Sequence, residues 1–168
     1  LFVARFQESL KHSFRFSVSD SVITEQLISK DGVKALAEQA DIPQPLTFSP
    51  VSYAEVQSMA NVICYPVLIK PTFSRAWLAP EVRTVVNRGK VVAIANADEL
   101  LEKYQLIAKY DPGLVIQEER PGEDKNLVYY VGFFDESSMP LASFVGVKER
   151  VIPVHYGSAS FVVSKKIP

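Results

Sequence analysis

The sequence predicts an α+β fold, and three observations support this class. Apolar residues recur at helical spacing after potential capping residues at Ser29, Ser52 and Asn96. Apolar, β-prone runs occupy residues 65–70 and 114–117, and further runs of this kind fill the last third of the chain. The order helix, strand, hairpin, helix, strand and meander lacks the regular alternation that a doubly wound parallel sheet requires.

Capping residues locate the predicted helices. Ser29 precedes a helix with Asp31 in its first turn, where an acid is favourable, and Pro43 ends this helix. Ser52 and Asn96, each followed three residues later by a glutamate, open two more helices. The last helix is predicted to bury one face, which carries Leu100, Tyr104 and Ile107.

Prolines, glycines and apolar runs locate the predicted strands and loops. Residues 65–70 are predicted to form a strand that ends in Lys70, and residues 72–83 show no period and are predicted to form a loop. A hairpin is predicted across Arg88-Gly89. Its strands are residues 84–87 and 90–95, and the antiparallel strands predicted later are residues 126–134, 139–147 and 151–155, with a turn at 135–138.

Composition excludes several classes of protein. The 168 residues are 48% hydrophobic and 22% charged, with a net charge of -1, as in an ordinary globular protein. The near-zero charge and the lack of a basic-aromatic pattern argue against nucleic acid as a partner. The longest apolar runs are too short to cross a membrane, so no membrane association is predicted.

The N-terminal region and the cysteine count bear on the cellular compartment. Charged residues interrupt the first stretch of the chain, which therefore lacks a signal-peptide pattern. Because Cys64 is the only cysteine, an intramolecular disulfide is excluded and a cytoplasmic location is predicted. Cys64 itself is predicted to be a buried structural residue beside the strand that ends in Lys70. The oligomeric state is not predicted.

Lysines and acids in unusual positions are the best candidates for a binding site. The chain has no P-loop, no G-x-G-x-x-G pattern, no zinc-ligand spacing and no G-x-S-x-G elbow. Lys70 ends an apolar strand, where a partly desolvated charge favours an anionic partner, although a lysine there can also extend into solvent. Lys148 and Arg150, predicted to face one way on a strand, can hold phosphate or carboxylate oxygens or can form an exposed strand face. The acids between Glu118 and Asp124 can equally form a solvated turn.

The order of five sequence segments adds a family resemblance. The segments are Lys30–Ala37, Ile42–Pro45, Tyr65–Pro71, Val115–Glu118 and Pro121–Asp124. In this order the chain resembles the ATP-grasp superfamily, especially its carbamoyl-phosphate-synthetase-like and biotin-carboxylase-like members, over roughly residues 29 to 160. The strand ending in Lys70 and the hinge from Gln117 to Asp124 carry most of the resemblance.

The resemblance implies a role for eight residues. Lys30 and Lys70 would reach the phosphates of ATP, Lys148 would be a third cation near them, and Arg150 would face the acceptor or the transferred phosphoryl group. Gln117 and the backbone carbonyl of Glu118 would meet the adenine amino group. The backbone N–H of Arg120 would reach a ring nitrogen, and Asp124 would bind the ribose hydroxyls.

Two departures from the family pattern and one gap qualify this picture. Residues 72–83 contain no glycine, where many relatives have a glycine-rich loop over the phosphates. Gln117 stands where glutamate is frequent, and its amide oxygen can still accept a hydrogen bond. Mg²⁺ is expected as a cofactor, but its acid and Glu-x-Asn ligands have no counterpart in the chain and are expected beyond its C-terminal end.

The resemblance implies an ATP-grasp fold with three parts. Residues 1–28 would lead in from a preceding domain, residues 29–116 would form the small nucleotide-clasping lobe, and residues 117–168 would form the hinge and the first antiparallel strands of the large lobe. The parent enzyme would be a ligase that activates a small carboxylate with ATP as an acyl phosphate, for attack by an amine or another nucleophile. The alternatives are a non-catalytic nucleotide-binding or scaffold domain and an interaction module unrelated to nucleotides.

Overall fold

The computed structural model describes residues 1–166, so Ile167 and Pro168, at the end of the predicted hinge and large-lobe segment, lie outside the described residues. The chain divides into two compact units. The first unit comprises residues 1–119, and the second begins at Arg120. Helices on an antiparallel sheet in the first unit and a separate meander in the second confirm the predicted α+β class.

The first unit contains a four-stranded sheet in the order β1-β4-β2-β3, with every neighbouring pair antiparallel. Its central strands are β2 and β4, which pair from Val67 opposite Glu118 to Pro71 opposite Leu114. The strands are β1 (Thr47–Phe48), β2 (Val67–Pro71), β3 (Val92–Ile94) and β4 (Leu114–Glu118). The predicted strands over 65–70 and 114–117 are thus confirmed to within two residues at either end.

Within the described residues 1–119, the first unit contains seven α-helices, three of which pack against one face of the sheet. The helices are α1 (Phe2–Arg5), α2 (Gln7–Leu10), α3 (Ser21–Ile28), α4 (Lys30–Gln39), α5 (Tyr53–Ala60), α6 (Pro80–Val85) and α7 (Ala97–Ala108). The core cluster joins side chains of α5, α6 and α7 to the sheet, with Val56, Val82 and Leu100 from the helices and Ile69 and Ile116 from the strands. Burial of this cluster is the main force that holds the sheet and its helices together.

The predicted helix caps are confirmed. The Ser29 hydroxyl accepts a hydrogen bond from the N–H of Gly32, and the Ser52 hydroxyl accepts one from Glu55. The side chain of Asn96 accepts one from the N–H of Glu99. Each cap satisfies an amide that the helix itself leaves without a partner. In α7, which begins after the Asn96 cap, the predicted apolar face is buried at Leu100, Tyr104 and Ile107.

The predicted hairpin strand over residues 84–87 is wrong. Residues 80–85 form α6 instead, with Pro80 in its first turn, and the loop predicted over 72–83 contains a 3₁₀ turn at Ala76–Leu78. Val82 and Val86 lie four residues apart and are both buried, which is helical rather than strand spacing. The β-branched composition of this stretch favoured a strand locally, but packing of these valines against the core decided for a helix.

The second unit is a three-stranded antiparallel sheet in the order β5-β6-β7. Its strands are β5 (Val128–Phe134), β6 (Pro140–Ile152) and β7 (Ser158–Lys165). The turn predicted at 135–138 is confirmed, and Asp135 accepts hydrogen bonds there from the N–H groups of Ser137 and Met139. The strand predicted over 151–155 is wrong, because β6 continues through Ile152 and the third strand starts only at Ser158. Pro153 lacks the N–H that a central ladder needs, which is a physical reason for β6 to end at Ile152.

Two further points concern the surface. Cys64 is exposed, so the prediction that it is buried is wrong. It lies in the connection between α5 and β2, just outside the strand whose alternate residues enter the core. Among the described helices, none has both the length and the apolar character needed to cross a bilayer.

Candidate functional site

The candidate site lies on the face of the first sheet opposite the core cluster. Val67 and Ile69 of β2 belong to that cluster, so the alternation of a strand places Leu68 and Lys70 on the other face. Lys70 is therefore the charged end of a strand whose other residues are all buried.

Two residues of neighbouring strands share the face of Lys70. Gln117 of β4 lies directly opposite Leu68 on one side and Thr47 of β1 on the other. Directly opposed residues of antiparallel strands point to the same face. Lys70, Gln117 and Thr47 therefore form a polar row across three strands on the side of the sheet that the core does not use.

This row is a continuous chain of hydrogen bonds. The Lys70 ammonium donates to Oε1 of Gln117 at 2.5 Å, and Nε2 of Gln117 donates to the Thr47 hydroxyl at 2.8 Å. The Thr47 hydroxyl in turn donates to the carbonyl oxygen of Pro45 at 2.9 Å. Thr47 is buried, whereas Lys70 and Gln117 are partly buried. A chain of this kind holds the lysine in one position without giving it a counter-charge.

Lys30 reaches the same end of β2 from α4. It is the first residue of that helix, which the Ser29 cap starts at this point. Its ammonium donates to the carbonyl oxygen of Pro71 at 2.5 Å, and its backbone N–H donates to the carbonyl of Thr72 at 3.2 Å. The structure thus brings together Lys30, Lys70 and Gln117, three of the predicted site residues.

The two lysines are held in an environment that disfavours their charge. Burial lowers the pKa of Lys70 below its ordinary value, the positive charge of Lys30 lowers it further, and Glu119 opposes the shift. Burial also lowers the pKa of Lys30, against the opposing effect of Asp111 and then Asp31. Two partly desolvated ammonium groups near each other are relieved by an anion with several oxygens, such as a polyphosphate.

A buried carboxylate holds the segment that follows β2. Trp77 and Asp111 are both buried, and the indole N–H of Trp77 donates to Asp111 at 2.8 Å. The N–H of Thr72 donates to the carbonyl of Gly113 at 2.9 Å. Both contacts join residues 72–78 to the turn before β4. The segment that stands in place of a glycine-rich loop is therefore fixed at its two ends. Burial raises the pKa of Asp111, while its hydrogen bonds to Trp77 and Gly113 and the charge of Lys30 oppose that rise.

Glu118 holds the short edge strand β1. Its backbone N–H donates to the carbonyl of Leu46 at 2.8 Å, and its carboxylate accepts from the N–H of Leu46 at 3.1 Å. The side chain of Glu118 thus has a structural contact that the sequence did not indicate. The adenine contact predicted for its backbone carbonyl stays a prediction.

The other four predicted residues lie in the second unit. Asp124 begins a 3₁₀ turn (Asp124–Asn126), and its carboxylate accepts from the backbone N–H of His155 at 3.4 Å. Arg120 precedes that turn in an irregular stretch. Lys148 and Arg150 both lie on β6, where Lys148 is partly buried and Arg150 is exposed.

The regular alternation expected for Lys148 and Arg150 is absent from β6 at this point. Lys148 pairs with Val162 and Arg150 with Phe161, so two steps along β6 oppose one step along β7. A bulge of this type breaks the alternation from which a common face was predicted. The roles predicted for Arg120, Asp124, Lys148 and Arg150 stay predictions.

Sequence reasoning missed three residues that shape the site. No site role was predicted for Thr47 or Asp111, and Trp77 lay within the loop predicted over residues 72–83. No local sequence signal identifies Thr47, because its place in the site depends on pairing with Gln117, 70 positions away. The single tryptophan of the chain, within a stretch without apolar period, was a signal for a buried anchor.

A magnesium site is not formed by the described residues. Within residues 1–166, no group of three or more His, Cys, Asp or Glu side chains is placed to hold a metal ion. The acids near the lysines, Asp111 and Glu119, act in the structure through a hydrogen bond to Trp77 and through the charge felt by Lys70. These residues do not fit a Mg²⁺ ion, and no chemical step is assigned to one here.

Comparison with known proteins identifies the fold. No protein-family model matches the sequence, and no curated protein matches it. The solved structure of D-alanyl-alanine synthetase A from Vibrio cholerae is similar over 86% of this chain and 40% of that protein, at a TM-score of 0.55 and 9% identity. The D-alanine–D-alanine ligase of Bacillus anthracis complexed with ATP is similar over 99% of this chain and 49% of that protein, at 0.54 and 16%.

A third similar structure belongs to the same class of enzymes. The VanG D-Ala:D-Ser ligase of Enterococcus faecalis is similar over 87% of this chain and 39% of that protein, at a TM-score of 0.53 and 17% identity. The chain thus spans less than half the length of each of these ligases. At this level of identity the similarity concerns the fold. Over the part of the ligase structures that it spans, the chain has the ATP-grasp fold.

Proposed function

We propose that the chain is the ATP-binding portion of an ATP-grasp ligase. The observation that carries this proposal is the pair of partly buried lysines, Lys30 and Lys70, whose ammonium groups both lie at the end of β2 and donate to the neutral oxygens of Pro71 and Gln117. A polyphosphate can neutralise both charges at once, whereas the nearby acids Glu119, Asp111 and Asp31 offset the effect of burial on the two lysines only in part. The fold shared with D-alanine ligases, one of them solved with ATP, supports a nucleotide as the source of that polyphosphate.

In the intact enzyme, ATP would activate a small carboxylate. A carboxylate oxygen attacks the γ-phosphorus, ADP leaves, and an acyl phosphate forms. An amine then attacks the acyl carbon, loses a proton and releases phosphate. Lys30 and Lys70 would contribute by holding the phosphates and neutralising their charge, because this reaction depends mostly on positioning and electrostatics.

The remaining predicted residues complete the proposed site. Gln117, the carbonyl of Glu118 and the N–H of Arg120 would bind adenine, and Asp124 would bind the ribose. Lys148 and Arg150 would act on the phosphates and on the transferred phosphoryl group. The ligands of Mg²⁺ would come from outside this chain. We also propose a cytoplasmic location.

Calorimetric titration with ATP tests the proposed function directly. We expect ATP to bind the wild-type chain and Lys70→Ala to weaken binding by roughly tenfold or more, because a charged hydrogen-bond donor to the phosphates is lost. Lys109→Ala is the matched control, since Lys109 is an exposed lysine at the end of α7 on the same unit. Equal affinity in wild type and Lys70→Ala would overturn the proposal.

A second candidate is a nucleotide-binding domain without catalysis. Segment 72–78 favours this candidate, because hydrogen bonds of Trp77 and Thr72 anchor it, and an anchored segment is less suited to successive opening and closing during turnover. The two candidates differ in one measurement on the full-length parent protein. Formation of ADP from ATP in the presence of a carboxylate supports the ligase, and ATP binding without ADP formation supports the non-catalytic domain.

A further inference from the structure

The chain of hydrogen bonds from Pro45 to Lys70 has only one possible polarity. The carbonyl of Pro45 can only accept, and the Lys70 ammonium can only donate. The Thr47 hydroxyl uses its single hydrogen on Pro45, at 2.9 Å, so toward Gln117 it acts as an acceptor. Gln117 must then direct its NH₂ group to Thr47 and its carbonyl oxygen to Lys70, as the distances of 2.8 and 2.5 Å show.

We propose that Thr47 is the positioning residue for Lys70, acting through the orientation of the Gln117 amide. Thr47 would fix which end of that amide faces the lysine, and so keep the ammonium group where a phosphate can bind it. This inference rests on the proposed function only for the identity of the anion. The assignment of Thr47 itself rests on the geometry of the hydrogen-bond chain.

The architecture around Thr47 supports such a role. β1 has only two residues, of which Thr47 is buried and Phe48 is more exposed. Glu118 holds the preceding residue, Leu46, with a backbone and a side-chain hydrogen bond. This edge strand contributes one buried hydroxyl to the polar face of the sheet, and the hydrogen bonds between Leu46 and Glu118 hold the residue before that hydroxyl in place.

Because charges surround Lys70, the orientation of the Gln117 amide affects the stability of the Lys70 ammonium group in its position. Lys30, at the start of α4, repels the Lys70 ammonium, and Glu119, just after β4, attracts it. Asp111, in the turn before β4, acts on Lys30. Gln117 is the neutral partner that contacts the Lys70 ammonium directly. If its amide turns over, the NH₂ group faces the ammonium, and two donors then oppose each other.

Thr47→Val tests the inference, because valine keeps the shape of threonine and removes the hydroxyl. We expect the pKa of Lys70, followed by NMR titration of its side-chain carbons without nucleotide, to fall below its wild-type value. We also expect ATP to bind about fivefold more weakly, since one oriented hydrogen bond is lost. Thr47→Ser should restore both values, because serine supplies the same hydroxyl.

Two further variants separate positioning from a general loss of structure. Thr84→Val is the matched control, since the Thr84 hydroxyl also donates to a proline carbonyl, that of Pro80, but lies on α6. Gln117→Leu should reproduce the effect of Thr47→Val on Lys70. Combining it with Thr47→Val should add nothing, because both changes break the same chain of hydrogen bonds.

The outcomes for the two proposals are distinct. An unchanged Lys70 titration in Thr47→Val, or an additive effect in the double variant, would overturn the role of Thr47. Equal ATP affinity in wild type and Lys70→Ala would overturn the proposed function alone, because the titration of Lys70 does not involve nucleotide. If Thr47→Val fails to fold, Thr47→Ala is titrated in its place, and an unchanged pKa of Lys70 in that variant would overturn the role of Thr47.

Discussion

The ammonium group of Lys30 donates a hydrogen bond of 2.5 Å to the carbonyl of Pro71, the residue that follows Lys70. A helix start and a strand end thus place two positive charges side by side. Both ammonium groups donate to neutral oxygens, and the nearby acids offset the effect of burial on their charges only in part. The energetic cost of this arrangement makes the site selective for anions.

The mutual repulsion of the two lysines can be measured. In Lys30→Ala, we expect the pKa of Lys70 to rise toward its ordinary value, because the positive charge that lowers it is removed while burial and Glu119 remain. NMR titration of Lys70 provides the measurement. Lys34→Ala, one turn further along α4, is the control and should leave the pKa of Lys70 unchanged. A lower pKa in Lys30→Ala would contradict the proximity of the two charges.

As the pH is raised, ATP affinity is expected to fall at a lower pH than in a site whose lysines have the ordinary pKa. The phosphate group changes little in charge above about pH 8, because its second pKa is about 6. Phosphate binding needs protonated Lys70, so affinity is lost as the pH rises through its lowered pKa, below the ordinary value of 10.5. In Lys70→Arg the decline should be smaller, since a guanidinium stays protonated while Lys30, whose pKa is also lowered, still titrates. Calorimetry across the pH range tests both curves, and a constant wild-type affinity up to pH 10.5 would contradict the expectation.

Lys70 also affects the free energy of unfolding. Because the folded state lowers the pKa of Lys70, the unfolded chain binds more protons between the lowered pKa and 10.5. The contribution of this residue to the free energy of unfolding therefore rises with pH in that window. Urea unfolding of wild type and Lys70→Met measures this effect. The amount by which the free energy of unfolding of the variant exceeds that of wild type should narrow as the pH rises. A widening difference would contradict the sign of the shift.

Asp111 is expected to make stability depend on pH in the acid range. Burial raises its pKa above 3.8, so its favourable contribution is present at low pH and is lost as the pH rises through the raised pKa. Asp111→Asn keeps an acceptor for Trp77 and should gain in relative stability as the pH increases. Asp111→Ala leaves the buried indole N–H without an acceptor, which costs about 1–3 kcal/mol. Urea unfolding at several pH values tests both variants, and a pH-independent difference for Asp111→Asn would contradict the assignment.

Gly32 is expected to tolerate no side chain. A Cβ atom there would lie 2.3 Å from the backbone oxygen of Gln26 in α3, so α3 and α4 would have to separate. Alanine ordinarily stabilises a helix over glycine by up to about 1 kcal/mol, but overpacking costs about 1–3 kcal/mol and decides the sign. Gly113→Ala is the control, because its nearest atoms would be 3.9 Å away. A Gly32→Ala variant as stable as wild type in urea would contradict the close packing of the two helices.

Local features of the fold were predictable from the sequence, because their hydrogen bonds join neighbours. The caps at Ser29, Ser52 and Asn96 each use an amide three residues away. The position of Lys70 at a strand end followed from the flanking prolines. The stretch at 84–87 was not predictable in this way, since burial of Val82 and Val86 against the core favours a helix that ends at Val85 and a turn after it.

The polar contacts of the site depend on residues far apart in the sequence. Thr47 and Gln117 are 70 positions apart, and Trp77 and Asp111 are 34 apart. Composition and spacing carry no signal for such pairs, because the sheet order β1-β4-β2-β3 alone brings them together. The lysines could be proposed one by one, but the neutral partners that hold them could not.

The exposure of Cys64 makes the protein suitable for spectroscopy in its natural sequence. As the sole thiol of the chain, it can carry one fluorophore or spin label at a single known position. It lies outside the buried cluster, so a label there should leave the free energy of unfolding nearly unchanged. A labelled protein would report on ordering of the neighbouring strand β2 when a ligand is added, without removal of any native residue.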